Sequence, residues 1–192
     1  MWDTNFGKIV RLNDDGTVPQ QNPFQSKGEL AKTFWTTGHR NPLGIAFDQK
    51  NNLWANEMGP RHGDELNLIV AGSNYGWPLV SEGNHYSGTL IPPHETRPEF
   101  ASPVAYWVPT LAPSGLTFYI GNEFKNWEGH ALLGGLKGKS LVRLKLRDQK
   151  VIEEERFSWR VRVRDVEVQK NGLIWVIEDG SDARLIKFSL PD

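Results

Sequence analysis

Four short stretches carry side chains whose types and spacing suit chemistry. The first is Arg160-Val161-Arg162-Val163-Arg164-Asp165-Val166. Side chains of a strand alternate between faces, so this pattern puts three arginines on one face and the valines on the other. Like charges about 7 Å apart repel one another unless acids or a bound anion offset them. Such a face is either a charged edge that discourages strand pairing or an anion site, and the repulsion tilts the reading toward the anion. The second is Gly38-His39-Arg40-Asn41-Pro42-Leu43-Gly44, which reads either as a solvated turn or as an Arg–Asn pair offering a planar donor fork to a carboxylate. The third, Glu57-Met58-Gly59-Pro60-Arg61-His62-Gly63-Asp64-Glu65-Leu66-Asn67, has Gly and Pro forcing an irregular backbone, with carboxylates close behind. That combination suits a hard cation wanting six to eight oxygens, backbone carbonyls included. It also suits a charged surface turn. The fourth, Leu136-Lys137-Gly138-Lys139, is a lysine-bearing hairpin turn and carries little signal alone.

Composition bounds what these groups can do. The chain has 192 residues, 22 basic and 23 acidic, and a net charge of −1. No global field draws nucleic acid or an anionic membrane, so an anion site has to be built locally. Without cysteine, disulfides, thiolate catalysis and iron–sulfur clusters are excluded. No apolar run reaches the roughly 20 residues that span a bilayer. The opening Met1-Trp2-Asp3-Thr4-Asn5 has neither the basic nor the apolar region of a signal peptide.

The elements that position these groups read as strands. Eight Trp, 19 Gly and 12 Pro suit many short strands joined by turns. Strand-like runs fall at Lys8–Leu12, Gly44–Phe47, Leu53–Ala55, Leu116–Ile120, Ala131–Leu133, Ser140–Leu146, Asp165–Val168, Leu173–Ile177 and Arg184–Phe188. No stretch of ten or more residues has a helical period. Gln49-Lys50-Asn51-Asn52-Leu53-Trp54 resembles Gln169-Lys170-Asn171-Gly172-Leu173-Ile174-Trp175, and an acid follows each (Glu57, Glu178). A third unit opens at Pro113-Ser114-Gly115-Leu116. Each unit reads as three or four antiparallel strands that cannot bury both faces alone, and radial stacking of such sheets gives a β-propeller. The expected fold is therefore all-β: one domain over 1–192, a partial propeller of about three blades. Residues 81–103, rich in Gly, Pro, His and Asn, read as a long functional loop.

Taken in order, these segments resemble the soluble quinoprotein glucose/sorbosone dehydrogenase family, in particular its aldose sugar dehydrogenase branch. The resemblance runs from Gly7-Lys8-Ile9-Val10-Arg11-Leu12-Asn13 through Gly38–Pro42, Gly59-Pro60, Asp64–Asn67, Asn74-Tyr75-Gly76-Trp77-Pro78, Ala112–Gly115 and Leu136–Gly138 to Arg162–Val166. It implies a six-bladed propeller, of which this chain is the C-terminal portion, binding pyrroloquinoline quinone (PQQ) and Ca2+ and oxidising aldose sugars to lactones. By the same resemblance Arg40, Asn41, Lys137, Arg162 and Arg164 bind the cofactor, and the Gly59 and Pro60 carbonyls hold its calcium. Glu65 and the Tyr75 carbonyl form a second metal site, and Asp64 lies beside the cofactor and touches substrate. Leu43 departs from a Gln that some members carry. The family's catalytic histidine matches none of His39, His62, His85, His94 or His130, so no catalytic residue is assigned. These 192 residues alone are expected to be inactive, their partners being an aldose sugar, an electron acceptor, and either a second copy or upstream blades. The family implies a periplasmic or secreted location. A non-catalytic binding or assembly module is the alternative. A calcium-dependent lactone hydrolase is a further one, disfavoured by the arginine face.

Overall fold

The computed structural model describes residues 2–190. The chain is all-β: the helical segments among the described residues are single 3-10 turns at Ala31–Thr33, His94–Thr96 and Lys125–Trp127. No helix among them is long and apolar enough to cross a membrane. A two-stranded pair, β1 (Lys8–Val10) with β2 (Phe34–Thr37), comes first. Next is a four-stranded antiparallel sheet of β3 (Pro42–Phe47), β4 (Leu53–Glu57), β5 (Asp64–Ile69) and β6 (Ala105–Trp107), in that order. A second four-stranded sheet follows with β7 (Pro113–Phe118), β8 (Ala131–Gly135), β9 (Ser140–Arg147) and β10 (Lys150–Ser158). The last has three strands, β11 (Arg162–Val168), β12 (Ile174–Asp179) and β13 (Leu185–Phe188).

The repeated segments fold alike. In the β3–β4 turn Asp48 N–H donates to Asn52 O and Asn51 N–H to Asp48 O; in the β11–β12 turn Gln169 N–H donates to Leu173 O and Gly172 N–H to Gln169 O. Asn51 (φ 62°) and Gly172 (φ 91°) occupy the same left-handed position, which Asn and Gly tolerate best. This alignment makes Trp54 equivalent to Trp175 and Glu57 to Glu178.

Apolar faces bind the sheets together. Trp54, Leu66 and Trp107 pack on Leu116, Leu133 and Val142 between the two four-stranded sheets. Leu132 and Leu141 pack on Val163, Val166 and Val176 of the last sheet. Each such side chain contributes roughly 1.5–3 kcal/mol by leaving water. Each sheet is hydrogen-bonded to the leading strand of the next: Asn56 Nδ2 of β4 donates to Ser114 O of β7 (2.8 Å), and Ser114 Oγ donates to Val163 O of β11 (2.8 Å). Gly44 permits the first approach, because a methyl group there would stand 2.7 Å from Ser114 O. The beginnings of β3, β7 and β11 are thus set side by side.

Strands β2, β5, β6 and β10 were not expected. The stretch Glu57–Asn67, in which Gly and Pro were expected to force an irregular backbone, is irregular between the strands: Glu57 ends β4 and Asp64–Asn67 lie in β5. Polar residues hid that strand, since Asp64, Glu65 and Asn67 are all buried and are tolerated there because each finds hydrogen-bond partners.

Candidate functional site

Register decides which end of the sheets each side chain occupies. Pro42 at the start of β3 faces Glu57, and Glu57 faces Glu65 at the start of β5. Pro113 at the start of β7 faces Gly135, Gly135 faces Ser140 across the Lys137 turn, and Arg162 at the start of β11 faces Asp179. With the three leading strands aligned at their beginnings, Arg40, Asn41, Gly59, Pro60, Lys137, Arg162 and Arg164 all fall at one end. A groove of about 430 Å³ opens there between Leu43, Gly44, Ser114, Gly115, Arg164 and Asp165.

Arg40 is half-buried. Its Nη1 donates to Met58 O (2.9 Å), its Nη2 to the Tyr86 hydroxyl (3.4 Å), and its guanidinium lies 5.5 Å from the centre of the Trp77 ring. Asn41 is exposed. Both residues are held from behind: Glu57 Oε2 accepts the N–H of Arg40 (2.7 Å) and of Asn41 (3.3 Å), while its Oε1 accepts from Asn67 Nδ2 (3.0 Å) and from the His39 ring (2.9 Å).

Arg162 and Arg164 lie on the exposed face of β11, but Arg160 does not join them, because the strand starts at Arg162. A register shift between Val163 and Asp165 breaks the alternation beyond Arg164. The charge left on that face is offset by an acid of the chain: both guanidinium groups pair with Asp179 Oδ2, Arg164 at 2.8 Å. Burial raises the Asp179 pKa, but the two arginines outweigh it and hold the carboxyl below its usual range.

Lys137 is exposed at the β8–β9 turn, which is tied down where Leu136 N–H donates to Ala112 O and Gly138 N–H to Leu111 O (2.9 Å each). Asp64 braces the same place. Its Oδ2 accepts from Thr110 Oγ1 (2.6 Å), Leu111 N–H (2.7 Å) and Ala112 N–H (2.7 Å), and its Oδ1 from Gly59 N–H (3.0 Å). This carboxylate is 1% exposed and carries four donors. It shapes the site through the two backbone segments it holds.

Gly59, Glu65 and Tyr75 line a void of about 10 Å³, with Arg40 and Glu57 also in its wall, about the size of one ion or water. Burial first, and the neighbouring Glu57 second, push the Glu65 pKa up. Negative charge crowded in this way suits a cation. Among the described residues no three His, Cys, Asp or Glu side chains form a metal cage by themselves. A metal here has to draw on carbonyls, as hard cations do, and no hydrogen bond among those residues ends on the carbonyl of Gly59 or Pro60. The Tyr75 carbonyl faces His94 Nε2 at 3.1 Å. The donor set therefore fits an oxygen-seeking ion.

Four histidines have structural partners. His62 Nδ1 accepts the Thr110 N–H (3.3 Å). His39 lies between Thr36 and Glu57, His94 between Glu82 and Tyr75 O, and His130 bonds Arg143. Burial, then the Arg143 charge, lower the His130 pKa. Sequence reasoning missed three contributors. Glu57 had a signal, the acid repeated after each Trp strand. Asp179 had only its place beside Glu178. Tyr86 had only its place in the long loop.

A family model described as Glucose / Sorbosone dehydrogenase matches residues 1–187. Aldose sugar dehydrogenase YliI of Escherichia coli is 40% identical over 190 residues, covering 95% of this chain and 51% of that protein. A solved glucose dehydrogenase superposes with a TM-score of 0.90 at 38% identity, over 96% of this chain and 55% of the other. The PQQ-bound form of aldose sugar dehydrogenase from Streptomyces coelicolor gives 0.75 at 29% identity, over 97% and 52%. The chain spans about half the length of the relatives it matches.

Proposed function

The chain belongs to the glucose/sorbosone dehydrogenase family, and from that premise we propose that it supplies the anion clamp and calcium ligands of a PQQ-dependent aldose sugar dehydrogenase. Its sheets are read as blades of a β-propeller, one domain over 1–192, and its location as periplasmic or secreted. One observation carries the reading: the leading strands of three sheets begin side by side, so Arg40, the Lys137 turn and the two arginines of β11 fall toward one end of the sheets.

When bound, the quinone with its calcium supplies the two-electron oxidising chemistry that takes an aldose to a lactone. Arg40, Arg162 and Arg164 present guanidinium forks to the cofactor's carboxylates, and Asn41 adds an amide beside Arg40. Lys137 brings a point charge to where negative charge grows during reduction. The carbonyls of Gly59 and Pro60 would hold a calcium ion, and Glu65 with the Tyr75 carbonyl would hold a second. Asp64 keeps Gly59 and the Lys137 turn in place. None of the five histidines is assigned the proton, and a missing general base typically costs 10²–10⁴ in rate. Aldose oxidation by these 192 residues alone is therefore expected to be negligible.

Absorbance titration of the purified chain with PQQ, with and without calcium, tests this. Saturable, calcium-dependent binding is expected; no binding at millimolar PQQ overturns it. Dye reduction by aldoses at a family-like rate would refute the inactivity of the isolated chain.

A second reading, a non-catalytic assembly module, draws on a different observation. An apolar groove of about 800 Å³ runs between Ile9, Leu12, Trp35, Ile45, Phe47 and Val70, and several of these are exposed. Light scattering that finds only monomer at high concentration counts against self-association through it.

A further inference from the structure

We infer that Glu57 is a positioning residue: it sets the direction in which Arg40 and Asn41 leave the backbone and so presents them to the cofactor. This rests on the proposed PQQ clamp and deepens it.

Glu57 ends β4, opposite Pro42, and its side chain is buried. Four groups meet its two oxygens, and all four donate: Arg40 N–H, Asn41 N–H, Asn67 Nδ2 and, with the carboxylate ionised, the His39 Nδ1 proton. An ionised carboxylate accepts at both oxygens; an amide of the same shape accepts at one and turns its NH2 against the other two donors. Holding two successive N–H groups on one oxygen fixes two successive peptide planes, because each plane is rigid. With the peptide planes held, the Arg40 side chain meets Met58 O and Trp77. Asn67 extends the arrangement, since its Nδ2 also donates to Glu65 (3.1 Å). Glu57, which holds the Arg40–Asn41 backbone, and Glu65, the proposed metal ligand, are thereby joined through Asn67.

The equivalent Glu178 serves a different purpose: it takes the Trp159 indole and the Arg184 guanidinium and backbone N–H. Its position in the repeat alone does not dictate the hold on the turn. A better control lies at the other end of the same strand pair. Asp48 also takes four donors, Lys50 N–H, Asn52 N–H, Asn52 Nδ2 and Trp54 Nε1, but it serves only the β3–β4 turn, remote from the clamp.

The test compares Glu57→Gln, Glu57→Asp and Asp48→Asn in the full chain by two readouts, amide hydrogen exchange in cofactor-free protein and PQQ affinity by absorbance. Glu57→Gln is expected to speed exchange at the Arg40 and Asn41 amides and to weaken PQQ at least about tenfold, the effect of one lost charge-assisted hydrogen bond. Glu57→Asp, charged but one methylene short, should fall between that variant and wild type. Asp48→Asn should lower the unfolding midpoint yet leave both readouts within about twofold. Wild-type exchange at both amides in the Glu57 variants overturns the inference, as does a PQQ affinity that falls equally in Asp48→Asn. If wild-type chain fails to bind PQQ, the clamp reading falls instead, and the exchange data alone judge whether Glu57 orients the turn. If Glu57→Gln does not fold, Glu57→Asp carries both readouts.

Discussion

The β3–β4 and β11–β12 hairpins share a turn geometry, a tryptophan and an acid at the end of the second strand, yet they use them in opposite ways. In the first hairpin Asp48 accepts the Trp54 indole proton at 3.1 Å; in the second, Gln169 stands in that place and the buried Trp175 indole nitrogen has no hydrogen-bond partner. Glu57 is spent on backbone and neutral donors that shape a turn. Glu178 takes the Arg184 guanidinium and backbone N–H together with the Trp159 indole, and the next residue, Asp179, is shared by the two arginines of β11. A repeat therefore fixes where an acid stands, and the neighbours decide what it does.

The largest expected effect comes from Glu57→Ala. It leaves four donors facing a buried void, and urea unfolding should show a loss of about 3 kcal/mol or more. A loss below about 1 kcal/mol would erase the contrast with the exposed pairs of β11. Next is Arg164→Gln, which should weaken PQQ by roughly tenfold while moving the urea midpoint little, because exposed ion pairs contribute about 0–1 kcal/mol. A stability loss matching that at Glu57 would make Arg164 a structural brace instead.

Glu178→Gln sharpens the contrast through pH. Arg184 hydrogen bonds first, and the Trp159 indole second, hold the Glu178 pKa down at about 2, against an ordinary 4.5. A depressed acid stabilises fully above its unfolded value and loses that contribution as pH falls through its folded value. The wild-type advantage in thermal midpoint should be full at pH 7, shrink below pH 4.5 and vanish near pH 2. A pH-independent difference would rule out the charge as its source. The smallest change is Gln169→Asp, which copies the Asp48 arrangement and should add about 0.5–1 kcal/mol by satisfying Trp175; no gain would mean that the two turns differ in more than that residue.

Much of the fold was legible because period-2 apolar runs, turn residues and the Trp repeat are local signals. Strands β5 and β10 escaped for the same reason. Buried Asp64, Glu65 and Asn67 do not look like strand residues until their partners are known, and Glu153-Glu154-Glu155 lie in β10, whose pairing with β9 sets two of those glutamates beside Arg143. In the site, Arg40, Asn41 and the two arginines of β11 stood out by type, whereas Lys137 carried little signal alone and entered through the family resemblance. Asp64 stood out too, but its placement as a brace could not be read, since three of the four groups it holds lie 46–48 residues away.

The sequence by itself determined much of the strand-and-turn content and the irregular bend at Gly59-Pro60, because backbone sterics and side-chain alternation act over a few residues. Tertiary structure decided which charges are free and which are answered. Asp179 offsets Arg162 and Arg164, and Glu57 and Asp64 spend themselves on N–H groups, because a buried carboxylate is stable only where packing brings donors from distant segments against it.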